Sequence, residues 1–380
     1  MEIRTYDPGD WPALRAFIHE HWRAGHPYTD RVLFEWQFMG FASERPVSKL
    51  VEHEGQIAGF LGGTPGLYWA NGTVLPGVVY DLWVVRPDLR NGALGLLMMK
   101  ALEDEFDVCC CLGINPDVVR YYTARGYDYA PALHRWIVPL NRDGFNQLVA
   151  THPARPDTAG VTVPDLSGVR EAESLRSPDT LALQIMYERT VEAAFRLALH
   201  RNAEFWSWRY LRSAGFKYQM FGSVVDVGII VARIESIISP EHPQADGKKV
   251  LRLIECLPAR PDTWNGQPDD AHLALLRSVL AWGARKQCIL ADFQHSSDRL
   301  GHVLEAAGFI AVSPTAPAAV RAVPNLFQPL QYERPPINYV WRLAGSAAPE
   351  RPIESRDIYL VKSDDGMDRP NIWPMPAGRA

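Results

Sequence analysis

The segment from Val84 to Gly95 has the residue types that bind phosphate groups through the backbone. An apolar run ends at Val85, a loop containing glycine follows, and the next residues favour a helix. The first amides of a helix have no partner inside it, and the helix dipole adds about half a positive charge there. Gly92 and Gly95 lack a Cβ, so a phosphate can approach closely, and Arg90 can add a charge-assisted bond. We predict a phosphate or pyrophosphate site in this loop.

Two common nucleotide sites are excluded here. No Gly-Lys-Ser/Thr follows the loop, so it is not a P-loop. It is not a dinucleotide fingerprint either, because the glycine spacing differs and the strand does not open a βαβ unit with an acid about 20 residues further on.

The loop resembles motif A of the GNAT superfamily of N-acetyltransferases. That motif, Arg/Gln-x-x-Gly-x-Gly/Ala preceded by V-x-P, corresponds here to Arg90–Gly95, with Ala93 in place of the first motif glycine. A second family pattern, Asn-x-x-Ala-x-x-x-Tyr-x-x-x-Gly-Phe, is matched from Asn115 through Tyr122 to Tyr127. Both matches lie within residues 1–140.

The resemblance implies a role for each matched residue. Backbone amides of the loop would bind the pyrophosphate of acetyl-CoA, backbone groups of two strand residues would pair with the pantetheine arm, and an asparagine would contact the cofactor or position a water. The implied cofactor-binding residues are Trp83, Val85, Arg90, Asn91, Gly92, Ala93, Leu94, Gly95 and Asn115. Tyr122 would be the general acid for the leaving thiolate; a thiol pKa near 8.5 and a tyrosine pKa near 10 make that donation feasible.

Asp81 is the candidate base for the incoming ammonium. It is a lone acid in an apolar strand, and the period of two places it on one face with Trp83 and Val85. Buried carboxylates have raised pKa values and seldom lack a function or a partner. A structural ion pair or a substrate anchor is the alternative for Asp81, and His53, His134 or a water relay are other candidates for the base.

The later part of the chain repeats the order of the earlier part. Phe34–Phe38 resembles Trp206–Tyr210 at an offset of 208 − 36 = 172, and Arg125–Tyr127 resembles Ala307–Phe309. We interpret this as a tandem repeat of one α/β fold, although any two α/β domains share such an order.

The second copy lacks the predicted chemistry. Residues 257–268 contain extra prolines, which offer no N–H to a phosphate, and Leu304 occupies the position of Tyr122. We therefore predict a degenerate second copy that shapes the acceptor pocket or covers a sheet edge. Its aromatic residues are core or a sugar-stacking platform: Phe205, Trp206, Trp208 and Tyr210.

The predicted fold class is α/β, with two tandem GNAT-like domains, each a mixed, mostly antiparallel central sheet flanked by helices. The predicted boundaries are 1–140 for the catalytic domain, 141–190 for a loop-rich linker, 191–345 for the degenerate domain and 346–380 for a tail. Asn71-Gly72 predicts a hairpin turn. We predict a helix over Ala93–Phe106, and strands over Val108–Ile114 and Tyr127–Pro139.

Composition agrees with a soluble protein. The 380 residues carry a formal net charge of −5, with 47% hydrophobic and 22% charged residues. No basic face favours nucleic acid and no apolar run of about 20 residues favours a membrane. The adjacent Cys109–Cys111 fit a buried strand better than a disulfide or a metal site. We expect a cytoplasmic protein with no metal, and the acidic tail Tyr359–Asn371 lacks calcium-loop spacing.

The expected activity is transfer of an acetyl group from acetyl-CoA to a primary amine of a small molecule, by direct attack in a ternary complex. The tail resembles that of two-repeat GNAT-like proteins found with surface-polysaccharide genes, which implies an amino-sugar acceptor, either free or nucleotide-linked. Another acyl-CoA, a hydroxyl acceptor, and a non-catalytic CoA-binding or regulatory protein are the alternatives. Monomer and homodimer both stay open. Candidate walls of the acceptor cleft, or core residues, are Trp11, Trp22, Tyr28 and Trp36.

Overall fold

The computed structural model of the chain describes residues 2–39, 45–90, 92–344 and 351–374. Its helices are α1 Trp11–His21, α2 Arg31–Phe38, α3 Leu94–Glu103, α4 Val119–Ala124, α5 Arg142–Val149, α6 Thr180–Tyr187, α7 Ala203–Trp206, α8 Asp270–Arg285, α9 Gly301–Ala306 and α10 Ala318–Arg321. Its strands are β1 Glu2–Thr5, β2 Lys49–His53, β3 Gln56–Ala70, β4 Thr73–Val85, β5 Val108–Leu112, β6 Asp128–Ala130, β7 His134–Pro139, β8 Leu197–Leu199, β9 Gln219–Ser223, β10 Gly228–Ser236, β11 Lys249–Leu257, β12 Cys288–His295, β13 Ile310–Ala311, β14 Leu326–Phe327, β15 Leu330–Gln331, β16 Tyr339–Leu343 and β17 Ile358–Tyr359.

The first sheet is built around the long β3–β4 hairpin. Within the described ranges its order is β1-β2-β3-β4-β5-β16-β6, with β8 and β17 added beside the far end of β3. The hairpin turns at Asn71-Gly72, where both residues have positive φ, as a tight two-residue turn requires. The β4–β5 pair is parallel, and its neighbours in that order are antiparallel. Helix α3 packs against β2, β3 and β4.

The second sheet has the same kind of plan. Its order is β13-β7-β12-β11-β10-β9, with β11 and β12 parallel at its centre and the other pairs antiparallel. Helix α8 packs against β9, β10 and β12. The predicted fold class is therefore confirmed as mixed α/β with mixed, mostly antiparallel sheets flanked by helices.

The two sheets exchange strands. The prediction of one strand over Tyr127–Pro139 is wrong, because β6 joins the first sheet whereas β7 pairs with β12 of the second. Pro131, which has no N–H for a ladder, follows β6 directly. In return β16, from the end of the chain, enters the first sheet between β5 and β6. Strand β7, which follows the strands of the first sheet in the sequence, therefore belongs to the second sheet. Strand β16, which follows the strands of the second sheet, belongs to the first.

Two tryptophans join the halves reciprocally. The Trp36 indole donates to the Trp208 carbonyl at 3.3 Å, and the Trp208 indole donates to the Trp36 carbonyl at 2.9 Å. The rings lie 5.2 Å apart. These are the two positions that the offset of 172 relates in the sequence. The nearby Phe205, Trp206 and Tyr210 are buried in the main core.

Other structural features concern the cysteines and the helices. Cys109, Cys110 and Cys111 are buried, unbridged side chains on β5. Among the described residues, no helix combines the length and apolar character needed to cross a bilayer. The same residues contain no group of three or more His, Cys, Asp or Glu side chains placed to hold a metal ion.

A matched pair of valines tests the strand exchange. Val340 on β16 is fully buried in the core beneath α3, whereas Val74 on β4 is exposed. We expect Val340→Ala to lower the free energy of unfolding by about 2 kcal/mol, because two buried methyl groups are lost and a cavity is left. Val74→Ala should change it by under about 0.5 kcal/mol. Chemical denaturation measures both, and equal effects would contradict this position of β16.

Candidate active site

A bulge in β4 decides which side chains reach the site. Gly62 pairs with Asp81 and Leu61 with Trp83, so Leu82 is an extra residue, and its φ is +53°. Tyr80 before the bulge and Trp83 after it pack against the same core beneath α3. The predicted common face of Asp81 and Trp83 is therefore wrong, because the bulge reverses the alternation between them.

Asp81 is held beside a buried tyrosine. The Tyr28 hydroxyl donates to Asp81 Oδ2 at 2.6 Å, and the Leu82 amide donates to Oδ1 at 2.8 Å. Tyr28 is buried, and its pKa is raised well above 10 by burial and by the charge of Asp81. Tyr28, a candidate wall of the cleft, thus stays a hydrogen-bond donor to the carboxylate at neutral pH.

The tail segment, Lys362–Asn371, lies directly against Asp81. A Cβ on Gly366 would overlap both the Asp81 carboxylate and the Tyr28 hydroxyl, so only glycine fits there. The Arg369 guanidinium lies 5.1 Å from the centre of the Tyr28 ring and donates to the Gly366 carbonyl at 2.6 Å. The cation therefore sits beside the candidate base.

The tail segment also enters the gap between β4 and β5. Their ladder ends at the Tyr80–Cys111 pair, and beyond it the Leu112 amide donates to Asp365 Oδ2 at 2.8 Å. Asp365 is buried, and burial together with the charge of Asp81 raises its pKa well above the ordinary value. A second carboxyl group therefore lies in the electrostatic range of Asp81.

The second half of the chain holds the tail segment in place. Arg209 donates to the Asp365 carbonyl at 2.9 Å, and Arg201 donates to Asp364 Oδ1 at 2.7 Å. Tyr218 donates to Asp368 Oδ2 at 2.7 Å. Sequence reasoning did not assign Asp365, Gly366 and Arg369 to the site; the run of acids in the tail was the available signal, but nothing local connects it to β4.

Tyr122 lies on the α3 side of the same region. Its ring meets Trp83 edge-on at 5.8 Å and Tyr127 at 5.2 Å. The side chain is buried, and burial with the neighbouring Cys111 raises its pKa well above 10. Because Cys111 precedes Leu112, Tyr122 is next to the end of the β4–β5 ladder.

The loop before α3 leaves several amides without an acceptor among the described residues. The helix begins at Leu94, and the amides of Ala93, Leu94, Gly95 and Leu96 have no acceptor among the described residues. Asn91, one of the predicted contacts, lies outside the described residues. Donors without an intrahelical partner are what an anion site requires.

Two loop residues contact other parts of the protein. Arg90 Nε donates to the Val85 carbonyl at 3.0 Å, so this side chain folds back onto the strand. A Cβ on Gly95 would clash with the Trp83 indole, whose buried Nε1 has no partner in the described structure. The missing side chain at Gly95 therefore makes room for Trp83.

The remaining candidates lie elsewhere. Asn115 is exposed after β5, and its Oδ1 accepts from the Asp117 amide at 3.0 Å, which caps the following turn. His53 lies at the β2–β3 turn beside Glu54, and His134 is on β7 of the second sheet. The structure holds neither histidine against Asp81.

No family model matches the sequence, and no curated protein matches it. Solved structures are similar over 90% of this chain. One is a GCN5-related N-acetyltransferase from Anabaena variabilis (TM-score 0.53, 11% identity, 72% of that chain covered). Another is the N-myristoyltransferase of Saccharomyces cerevisiae with bound myristoyl-CoA (0.52, 12%, 77%). A third is a conserved Enterococcus faecalis protein of unknown function, described as a probable N-acyltransferase (0.53, 9%, 72%). At these identities the likeness concerns the fold.

The raised pKa of Asp365 predicts a pH-dependent stability. A carboxyl group whose folded pKa is raised stabilises the fold fully below its unfolded pKa, about 3.9, and loses that contribution as pH rises towards the folded value. Asp365→Asn keeps an oxygen for the Leu112 amide but cannot ionise. We expect its unfolding free energy, relative to the natural protein, to increase steadily from pH 4 to pH 8. Urea unfolding across that range measures this, and parallel pH curves would disprove it.

Proposed function

Because the chain has the fold of the GCN5-related N-acetyltransferases, we propose that it transfers an acetyl group from acetyl-CoA to a primary amine of a small molecule. One observation carries the proposal. Strands β4 and β5 separate beyond the Tyr80–Cys111 pair, and there the Asp365 carboxyl group bonds to the Leu112 amide within electrostatic range of Asp81. Tyr122 packs in the core beneath α3, next to Cys111 of the same pair.

The loop before α3 fits the diphosphate of the donor. The amides of Ala93, Leu94 and Gly95 have no acceptor among the described residues, and they would bind the pyrophosphate together with Asn91 and Gly92. Arg90 would leave the Val85 carbonyl to add its charge. The backbone of Trp83 and Val85 would pair with the pantetheine arm, and Asn115 would contact the cofactor beyond β5.

Asp81 would accept the proton of the incoming ammonium. A protonated amine is not a nucleophile, so a base has to act before attack on the thioester. Asp81 has the Tyr28 hydroxyl as a fixed donor, and Arg369 lies close enough to offset part of the surrounding negative charge. The amine would then attack directly within a ternary complex.

Tyr122 would donate its hydroxyl proton towards the departing thiolate. Its raised pKa keeps the hydroxyl protonated throughout the neutral range, and its place beside Cys111 puts it at the end of the β4–β5 ladder. A buried donor aimed at developing negative charge stabilises it more strongly than the same donor in water.

A second candidate is a CoA-binding protein without turnover. One observation favours it: the tail segment packs Gly366 directly on Asp81, where an acceptor amine would have to come. The identity of the acyl donor also stays open, because one protein with this fold binds myristoyl-CoA. For the acceptor, the sequence resemblance favours an amino sugar, either free or linked to a nucleotide.

Two adjacent tyrosines test the role of Tyr122. Tyr122 is buried, whereas Tyr121 is exposed on the same helix. We expect Tyr122→Phe to lower kcat by roughly 10²-fold and to leave the affinity for acetyl-CoA unchanged. Tyr121→Phe should match the natural protein. Release of the CoA thiol with a panel of amines measures turnover, and calorimetry with acetyl-CoA measures binding. An unchanged kcat for Tyr122→Phe would rule out Tyr122 as the proton donor. Binding without turnover for any amine or acyl-CoA would favour the second candidate, a CoA-binding protein without turnover.

The base role of Asp81 predicts a pH dependence. Asp81→Asn should lower kcat/KM by roughly 10²-fold near neutral pH, with a smaller loss as pH rises, because more of the acceptor is already deprotonated. Asp104→Asn, an exposed acid at the end of α3, is the control. A loss that is the same at every pH would mean that Asp81 positions the acceptor rather than taking its proton.

A further inference from the structure

A cluster of charges, all buried except the half-buried Lys362, lies beside the tail segment on one face of the second sheet. Its residues come from four strands and the tail: Arg135, Arg233, Glu235, Arg252, Asp292, Lys362 and Asp368. The arginines are tied to the acids, for example Arg233 to Asp368 at 2.8 Å and Arg252 to Glu235 at 3.1 Å. Four cations face three acids in this cluster, so one positive charge is unmatched.

Lys362 carries the unmatched charge. Among the described residues its ammonium has neither a hydrogen-bond acceptor nor an acid within ion-pair distance, unlike each arginine of the cluster. Burial and the charge of Arg252 lower its pKa to about 8. Lys362 is only half-buried, and without an acid of its own its ammonium is available to pair with an anion.

Gln294 supplies a second unused donor at the same place. Its Nε2 is buried without an acceptor in the described structure, and only 5% of the residue is exposed. Val361 pairs with His295 in an isolated antiparallel bridge, and Lys362 and Gln294 are the residues next to that bridge on its two segments. A half-buried ammonium and a buried amide donor thus both lack an acceptor among the described residues, and an anionic group of a ligand would satisfy both.

We propose that Lys362 and Gln294 bind an anionic group of the acceptor, so that the acceptor is an amine that also carries a negative charge. This inference rests on the proposed function, in which Asp81 receives the amine. Lys362 is three residues from Asp365, and a chain of that length spans at most about 11 Å. The amine and the anion would therefore lie within one small molecule. A carboxylate and a phosphate share the required chemistry, and the single unmatched charge favours a singly charged group.

Binding without coenzyme A tests the proposal separately from catalysis. The probes are glycine, β-alanine, 4-aminobutyrate and 6-aminohexanoate, each compared with its amide, and UDP-glucosamine compared with glucosamine. Calorimetry should give at least about tenfold tighter binding for one or more of the anionic probes, as expected for a hydrogen-bonded charge. The chain length that binds best would report the distance between the two subsites. A preference restricted to UDP-glucosamine would identify the anion as phosphate.

Two substitutions should remove this preference by different means. Lys362→Met removes the cation, and Gln294→Glu supplies the missing negative charge within the protein. Gln294→Glu should also raise the midpoint of thermal unfolding, which a merely structural glutamine would not do. Lys100→Met, on the exposed face of α3, is the control and should keep the preference.

The outcomes separate this inference from the proposed function. Equal binding of anionic and neutral probes, or a preference that survives in Lys362→Met, would overturn the anion site. A lower unfolding midpoint in Gln294→Glu would also count against it. If the preference depends on Lys362 but no probe is acetylated, the anion site stands and the acyltransferase proposal fails. If neutral amines are acetylated as fast as anionic ones, the acyltransferase proposal stands and the anion site fails.

Discussion

The candidate site depends on the separation of two parallel strands. Where β4 leaves β5, backbone groups lose their ladder partners, and buried groups without partners are costly. The protein satisfies the Leu112 amide with the Asp365 side chain, not with β4. The bulge at Leu82 also shapes the candidate site, because it turns Asp81 towards Tyr28 while Trp83 stays beneath α3. The gap, the two acids and the buried tyrosines therefore follow from one irregularity in one sheet.

Strand exchange explains how a distant tail can reach that gap. Because β16 lies between β5 and β6, the chain that follows it starts from the first sheet. It then pairs β17 with β8 and bridges Val361 to His295 of the second sheet. The next residues cross back to Asp81. The reciprocal Trp36–Trp208 bonds fix the two halves that this path connects.

The tail segment is fixed by buried charges more than by apolar contacts. Arg201, which is fully buried, pairs with both Glu255 and Asp364, and Tyr210 and Tyr359 donate to Glu255. Burial raises the pKa of Glu255 and of Asp364, and the charge of Arg201 offsets part of the free-energy cost of burying these two acids. Buried ion pairs contribute little net stability, but removing one partner is severe. Such a network favours a single path for the tail segment, which brings charged groups to the candidate site.

The sequence by itself determined several local elements. Asn71-Gly72 set the hairpin, and the pattern after the glycines set α3. The anion-binding chemistry of the loop before α3 stays a prediction. Tertiary structure alone decided that His134–Pro139 joins the second sheet, that Leu82 reverses the face of Asp81, and that Asp365 bonds to Leu112. The physical reason is the separation in the sequence over which each interaction acts. Helix and turn signals act over a few residues, whereas the bond between Leu112 and Asp365 spans 253 positions and has no local signature.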